Sequence, residues 1–588
     1  MAPFDRRSRS TTATAGLTTS SMLIAGAGAG VLGAALLATP AGAAAYSVTN
    51  TDDSGAGSLR SAITNANSNP GIDTITFSGV SSGTITLESD LPAITEGVVI
   101  SGPGSGAITI SGNDSFHAFT VDTSGSGAVT ISGLTITQSV TNTGTGGAID
   151  SYNTDLTLDD MVLVDNSAIF AASMVAGGAL SVENNGTDFD VTISNSIISG
   201  NQTSNTTIEP GSFEPSAAAI EQSLGGGALL VARDITLTNV TISDNVSYIG
   251  GGLMTGATRN VAIRNSSING NYASRVGGGI VSQSDGSISI ISSDISGNVA
   301  QYAAGGGYFQ TYGESSQTLI SNSRISDNVA EEIGGLALIQ PYGNSLIDNS
   351  TITGNSGTNI GGLAQFYSGV ISSSTISNNV GAGVSVGSPY ASGPVSLSAA
   401  FRSPVVSACS LAPEATYWRD VSATISNSTV SGNTREGIGA NIPIVIDYGS
   451  TPTRASLSRS TSPASCEAPE PQEVSIGLVH VLSADNGLED VAAPAISLFS
   501  LIERPNAGVL AGYGTQTGVD PMLQPLEFVN RTVSVVPIHA NSPAWDAGYP
   551  GFVPPPATDQ RGLPRVVQII DIGAYEVQEI VVQPKFTG

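Results

Sequence analysis

Charge is what this 588-residue chain has least of. Charged residues make up 11% of the sequence, against about 25% in an ordinary soluble domain, and that shortage excludes a coiled coil or long solvated helices. Basic residues are scarcer still: 19 Lys and Arg face 47 Asp and Glu, for a net charge of -28, and Lys585 is the sole lysine. A nucleic-acid backbone needs a basic surface that releases counterions, so DNA and RNA are excluded as partners. Two cysteines, Cys409 and Cys466, are too few for a disulfide-dense scaffold. The histidines, His117, His480 and His539, stand apart from each other and from the cysteines, so no zinc pattern arises. Beyond the amino terminus no apolar run approaches the 18 or so residues of a membrane span. Yet hydrophobic residues reach 40%, too many for a disordered chain. What is abundant is glycine, 71 residues, together with Ser, Thr and Asn.

The first 45 residues read as an export signal. Arg6, Arg7 and Arg9 precede a Gly/Ala-rich apolar stretch from Met22 to Ala38, and small residues follow at Ala41, Ala43 and Ala45. This is the basic, apolar and small-residue order of a secretory signal of bacterial type, and it predicts a secreted or cell-surface protein with no transmembrane span after cleavage. Outside the cytoplasm Cys409 and Cys466 are expected to pair. Closing the 58 residues they bound adds roughly 4 kcal/mol by chain entropy.

Internal repetition dominates the middle of the chain. Eight segments share the pattern apolar-x-[NS]-x-x-apolar-x-x-Asn: Ile193–Asn201, Leu237–Asn245, Ile263–Asn271, Ile290–Asn298, Ile320–Asn328, Ile347–Asn355, Ile371–Asn379 and Ile425–Asn433. A glycine run and an apolar residue follow most of them, as in Gly277-Gly278-Gly279-Ile280. The closing asparagines at 245, 271, 298, 328, 355 and 379 are 26, 27, 30, 27 and 24 residues apart. Such a unit holds three strands of three to five residues and almost no core of its own, so it must stack on its copies. Stacking places equivalent strands about 4.8 Å apart in parallel register. Ile198, Ile242, Ile268, Ile295, Ile325, Ile352, Ile376 and Val430 then form one inward column. Asn245, Asn271, Asn298, Asn328 and Asn355 are expected to stack as a ladder, their type suiting both a left-handed corner and an amide bond to the next copy.

The expected fold is therefore all-β: a right-handed single-stranded parallel β-helix of pectin-lyase-like type. It has three strands per turn, a short amino-terminal capping helix and a carboxy-terminal β cap. The expected divisions are a signal at 1–45, a cap at 46–70 and the β-helix at 71–446, with an irregular insertion near 387–421. A Pro-rich excursion at 447–473 and a carboxy-terminal cap at 474–588 follow. Ser58 is placed to cap a helix in which Leu59, Ala62, Ile63 and Ala66 share a face.

The repeats resemble the Asn-plus-GG[AILV] units of polymorphic outer-membrane proteins and other right-handed parallel β-helix proteins. Thr49–Gly55 with Gly57-Ser58-Leu59-Arg60-Ser61-Ala62-Ile63 resembles the CSLREAI motif found at the start of many of them, departing from it by lacking the Cys and by having Ser61 for the Glu. The tail is similar to the choice-of-anchor Q domain through Ser542–Gly548, Asp559-Gln560-Arg561-Gly562-Leu563-Pro564-Arg565 and Asp571-Ile572-Gly573-Ala574-Tyr575-Glu576. The resemblance implies export and surface display, not a defined reaction.

Two functions compete. As a lyase or glycoside hydrolase on acidic polysaccharide, the chain would need a basic group for the uronate or a pair of carboxylates. Arg259, Arg264 and Arg275 are the densest basic group on the repeats. Asn153-Thr154-Asp155 with Asp159-Asp160 resembles the start of a polygalacturonase site, but the Gly-His-Gly and Arg-x-Lys segments of those enzymes are missing. Asp150, Asp155, Asp159, Asp160 and Asp165 could gather calcium. As a non-catalytic binding, adhesion or structural module, the chain offers Gln310 and Tyr312, Gln340 and Tyr342, then Gln365, Phe366 and Tyr367, just past the glycine corners. An exposed strip of amides and aromatic rings there suits a cell-wall or extracellular glycan, or a surface protein. The binding module is the favoured expectation.

Overall fold

A computed structural model describes residues 42–141, 146–169, 176–183, 189–204, 226–258, 260–313, 315–340, 343–366, 368–387, 421–440, 474–551, 556–565 and 569–578. Residues 1–41, both cysteines, Arg259, Tyr342 and Tyr367 lie outside the described residues. No helix among the described residues is long and apolar enough to cross a membrane.

Alternation decides each strand, and stacking decides the rest. In Val261–Arg264, Val261 and Ile263 are buried while Arg264 is exposed. The chain then forms Ser267–Asn269, Tyr272–Val276 and Ile280–Ser284 before Ile288–Ile291 pairs with Val261–Arg264 from the next coil. Repeated along the chain, this winding builds a parallel β-helix. Among the described residues, to which all strand counts refer, a first face of 16 strands runs from Ala45–Val48 to Val509–Ala511, and a second of 15 runs from Gly83–Thr86 to Gln516–Thr517. The third face has 11 strands, from Phe119–Asp122 to Ile438–Ala440. A fourth, shorter sheet of six strands, from Val140–Thr141 to Val299–Ala300, lies between the second and third faces and adds to the three strands expected. Its residues Tyr248, Ile249 and Val276 pack with Leu230, Met254, Val281 and Tyr308 of the third face in a second hydrophobic cluster. That is why apolar residues occupy both sides of the third-face strands in this stretch.

The isoleucine column forms in register. Ile198, Ile242, Ile268, Ile295, Ile325, Ile352, Ile376 and Val430 pair one above the next on the second face, and all are buried.

The asparagine motif divides its work differently from the expectation. The left-handed conformation falls on the third position of the pattern, at Asn195, Asn239, Asn265, Ser292, Asn322, Asn349, Ser373 and Asn427, which turns the chain from the first face to the second. A second left-handed corner falls on the residue just before each closing asparagine, such as Asp244, Gly270 and Asp327. The closing asparagines have no positive φ. Their role is hydrogen bonding: in the series Asn166, Asn201, Asn245, Asn271, Asn298, Asn328, Asn355, Asn379, Asn433 and Asn486, each of the first nine donates Nδ2–H to Oδ1 of the next. Asn486 donates to Oδ1 of the buried Asp490 at 2.8 Å, and the ladder ends there. Every amide in the array points its N–H the same way, so a carboxylate at that end faces the positive pole of the aligned dipoles.

Both ends are covered. At the front, the helix Leu59–Asn67 starts at Ser58, whose hydroxyl accepts from Ser61 N, and it buries Leu59, Ala62, Ile63 and Ala66. Arg60 donates to Asp53 Oδ1 at 2.6 Å and to the carbonyls of Ser89 and Asp90, tying the cap to the first coil. At the back, the coil continues past residue 474 through Val474–Val479, Ala495–Leu498 and Val509–Ala511 on the first face. The chain then returns along the flank of the second face. Thr351 Oγ1 donates to Ser534 O and accepts from Ser534 N, Thr375 Oγ1 donates to Gln560 Oε1, and Thr429 Oγ1 accepts from Ala574 N.

The motif-bearing tail closes on itself through buried charge. Asp559 accepts from Arg561, from Leu563 N and from Glu576 N, while Glu576 accepts from Asp571 N. Arg565, almost fully buried, donates to the carbonyls of Asp571 and Gly573. Burial lowers the Arg565 pKa and pushes Asp571 up to about 6.

Candidate functional site

The glutamines of the expected strip do not share a column. Gln310 pairs in register with Ile339 and then Phe366, whereas Gln365 pairs with Leu338 and Phe309. Counted from the paired residues Gly307, Leu336 and Leu363, Gln310 sits at an odd offset and Gln340 and Gln365 at even ones, so Gln310 falls on the opposite side of the strand from the other two. Gln310, half-buried, accepts from Gln283 Nε2 at 3.1 Å. Gln340 and Gln365 are only 1% and 2% exposed, and Gln365 accepts from Ser345 Oγ at 2.7 Å inside the coil. Tyr312 is 42% exposed. An exposed strip therefore does not form through these amides. Side chains at Phe366, Tyr342 and Tyr367 lie outside what is described.

The charged groups singled out in the sequence are also dispersed. Arg264 is exposed on the first face, while Arg275 lies on the short sheet, its guanidinium 4.5 Å from the Tyr302 ring centre and 5.6 Å from that of Tyr248. Asp159 is held by Ser194 and Asn195, which lower its pKa. Asp160 accepts from Ser105, Asp155 from Asp190 N and Asp150 from Gly146 N. Asp165 occupies a left-handed corner. Among the described residues no three His, Cys, Asp or Glu side chains are arranged to hold a metal ion.

An open cleft of about 710 Å³ near the amino-terminal end is the site the chemistry favours. The segment at Ile94 builds one wall by bridging in parallel to Val121, with Ile94 N donating to Thr120 O at 2.8 Å and Asp122 N to Ile94 O at 2.9 Å. The lining combines hydroxyls of Thr95, Thr120, Thr123, Ser124 and Ser126 with the carboxylates of Glu96 and Asp122, the methyl of Ala93 and the Tyr152 ring. It contains no arginine or lysine. Tyr152 and Asp122 occupy equivalent positions on adjacent coils of the third face, which brings ring and carboxylate side by side.

Beneath this lining lies His117. Its Nδ1 is 3.4 Å from Thr120 Oγ1 and its Nε2 is 3.7 Å from Asp150 Oδ2. Its backbone N–H donates to Asp90 Oδ1 at 2.8 Å. The ring is buried and Nε2 has no hydrogen-bond partner. Burial drives the His117 pKa down to about 4, against the pull of the nearby Asp90. Sequence reasoning passed over this cleft because Thr95, Glu96, Thr120, Asp122 and Tyr152 carry no spacing motif. The one signal was the alternation of polar residues on Phe119–Asp122 and Ile149–Tyr152, where later third-face strands are apolar outside.

Compared with family models, curated proteins and solved structures, the chain finds no match. The fold rests on the sheets themselves.

Proposed function

We propose that this protein is an exported, surface-associated or secreted β-helix module that binds glycan in the amino-terminal cleft. The observation that carries this reading is the composition of the cleft: hydroxyls and carboxylates around one accessible tyrosine ring, with no basic side chain. Sugar hydroxyls pair with carboxylate and hydroxyl oxygens, and an apolar sugar face stacks on an aromatic ring. Glu96 and Asp122 repel a uronate carboxylate, so the ligand is a neutral or amino-bearing glycan. This disfavours a lyase or hydrolase acting there on acidic polysaccharide, which needs a basic group or cation beside the uronate. Surface attachment through a choice-of-anchor Q type tail is part of the proposal, supported by the tail motifs meeting in one buried ionic cluster.

The Cys409–Cys466 disulfide belongs to the same proposal. The segment 388–420 leaves after Val380–Gly387 and rejoins at Val421, and 441–473 leaves after Ile438–Ala440 and rejoins at Val474. Val386 pairs with Ala440 and Val421 with Val474, so the described residues flanking the two cysteine-bearing stretches are neighbours.

The test is calorimetric titration of the protein with neutral, amino-bearing and uronate oligosaccharides. Binding of the first two classes, weakened at least tenfold by Tyr152→Ala and by Glu96→Gln with Asp122→Asn, supports the proposal. Preference for uronates, or affinity indifferent to these substitutions, overturns it.

A further inference from the structure

A glycan-binding cleft needs only its lining, yet this one has a buried imidazole aimed at one of its hydroxyls. Thr120 lines the cleft on a third-face strand, and His117 lies three residues before it at the start of the same segment. Asp150 comes from the next coil, where it pairs in register with Thr120. Stacking of two coils thus gathers a hydroxyl, an imidazole and a carboxylate, with separations of 3.4 Å from Thr120 Oγ1 to His117 Nδ1 and 3.7 Å from His117 Nε2 to Asp150 Oδ2. This is the order of groups that activates a hydroxyl nucleophile: a base within reach of the nucleophile, and a third group that orients the base. Such contacts are commonly long before substrate binds.

We propose that Thr120, His117 and Asp150 act together to hydrolyse an O-acyl ester on the sugar held in the cleft. The choice of sugar rests on the glycan reading above, while the hydrolytic relay stands on the three side chains alone. With Nε2–H facing Asp150, Nδ1 is the free base. Thr120 Oγ adds to the ester carbonyl carbon as its proton passes to Nδ1. The tetrahedral adduct collapses, the sugar oxygen leaves and takes that proton, and Thr120 carries the acyl group. Water, losing a proton to Nδ1, then attacks the acyl carbon, and Thr120 Oγ regains the proton as the carboxylic acid departs. No oxidant, metal or further reactant enters. Thr120 is the catalytic nucleophile and His117 the catalytic base, whereas Asp150 is a positioning residue that orients the imidazole and favours its charged form. Ala93, beside Ile94 in the wall that bonds to Thr120 O, offers a small apolar contact suited to a short acyl chain such as acetyl.

The base is neutral throughout the physiological range, because burial holds His117 near 4. Hydrolysis is therefore expected to be level from pH 6 to 8 and to fall as pH approaches that value. General base catalysis supplies about 10² to 10⁴ over spontaneous hydrolysis and is greatest when the base titrates near the working pH, so a base as weak as this places the gain at the low end of that range.

The experiment measures acetate release from an O-acetylated neutral oligosaccharide and 4-nitrophenol release from 4-nitrophenyl acetate, with calorimetric binding of the same oligosaccharide stripped of its esters. Wild-type protein is expected to release both products, Thr120→Ser to retain release, and Thr120→Val to fall to the buffer rate with an unchanged melting temperature. Rapid quenching is expected to catch an acyl group on the peptide containing Thr120. Asp150→Asn is expected to lower the rate and move the acid limb of the pH profile, which a purely structural loss would not do. Absence of release by the wild type, or release unaltered by Thr120→Val, overturns the relay even where stripped glycan still binds. Release from 4-nitrophenyl acetate that depends on Thr120, without binding of stripped glycan, supports the relay and removes the glycan reading instead.

Discussion

Removing one rung of the asparagine ladder tests the structural account where it is most exposed to failure. Asn298 sits mid-ladder and is fully buried. Its Oδ1 accepts from both Asn271 N at 3.0 Å and Asn271 Nδ2 at 2.9 Å, while its Nδ2 donates to Asn328 Oδ1 at 3.0 Å and Ile268 O at 2.9 Å. Asn298→Ala strands two donors on Asn271 and takes a donor from Ile268 O; Asn328 Oδ1 still receives the backbone N–H of residue 298. A buried group left without its partner costs about 1–3 kcal/mol. Two stranded donors therefore predict a loss of about 4 kcal/mol, read as a lowered urea midpoint. Asn265 supplies the contrast, because its left-handed φ of 50° is a backbone requirement and its side chain is exposed. Asn265→Gly is expected to stay within about 0.5 kcal/mol of wild type, since glycine adopts that conformation freely. Asn298→Gly is expected to lose as much as Asn298→Ala or more. A loss below about 1 kcal/mol at Asn298, or equal losses at both positions, refutes the division of labour between corner and ladder.

Four further outcomes follow from named contacts. Ile295→Ala removes a fully packed member of the isoleucine column and is expected to cost about 2–5 kcal/mol in denaturant unfolding, whereas the partly exposed Ser296→Ala on the same strand is expected to change little. Acid is expected to destabilise the fold: His117 and His480 are held near 4 by burial, with Arg565 adding to the effect at His480. The unfolded chain takes up protons first as pH falls from 6.5 toward 4, so each histidine removes up to about 3 kcal/mol across that window. Asp571, raised to about 6, works in the opposite sense between 6 and 3.8, because its folded form binds the proton more tightly. His117→Gln should flatten the stability profile between pH 4 and 6.5, and an unchanged slope would contradict the burial argument. Gln560→Ala with Thr375→Val breaks a buried bond from tail to flank and is expected to speed proteolysis within residues 518–578 before the coil is cut. Cys409→Ser is expected to lower the melting temperature only under oxidising conditions if Cys409 and Cys466 are paired.

The period, the inward isoleucines, the Ser58 cap and the asparagine ladder were all legible in the sequence, because each repeats or carries its own local rule. The assignment of the left-handed corner to the closing asparagine failed for a related reason. Asn suits both a corner and an amide ladder, and residue type alone cannot say which of two asparagines in one unit does which. The Gln310, Gln340 and Gln365 strip failed because a one-residue difference in spacing puts Gln310 on the side opposite the other two, and those two are buried. The short sheet from Val140–Thr141 to Val299–Ala300 was hidden because its residues read as connection.

By itself, the chain's order of residues settled that it must coil and stack, since a unit of about 27 residues with one apolar stripe per strand buries nothing alone. It also settled which side chains face inward, because strand alternation leaves no other choice. Only the tertiary structure decided which distant side chains meet: Thr120 beside Asp150 and Gln560 against Thr375. Those pairs are 30 and 185 residues apart, and no local pattern encodes them. They exist because coils of unequal length come into register, and register is fixed by burial of the whole stack.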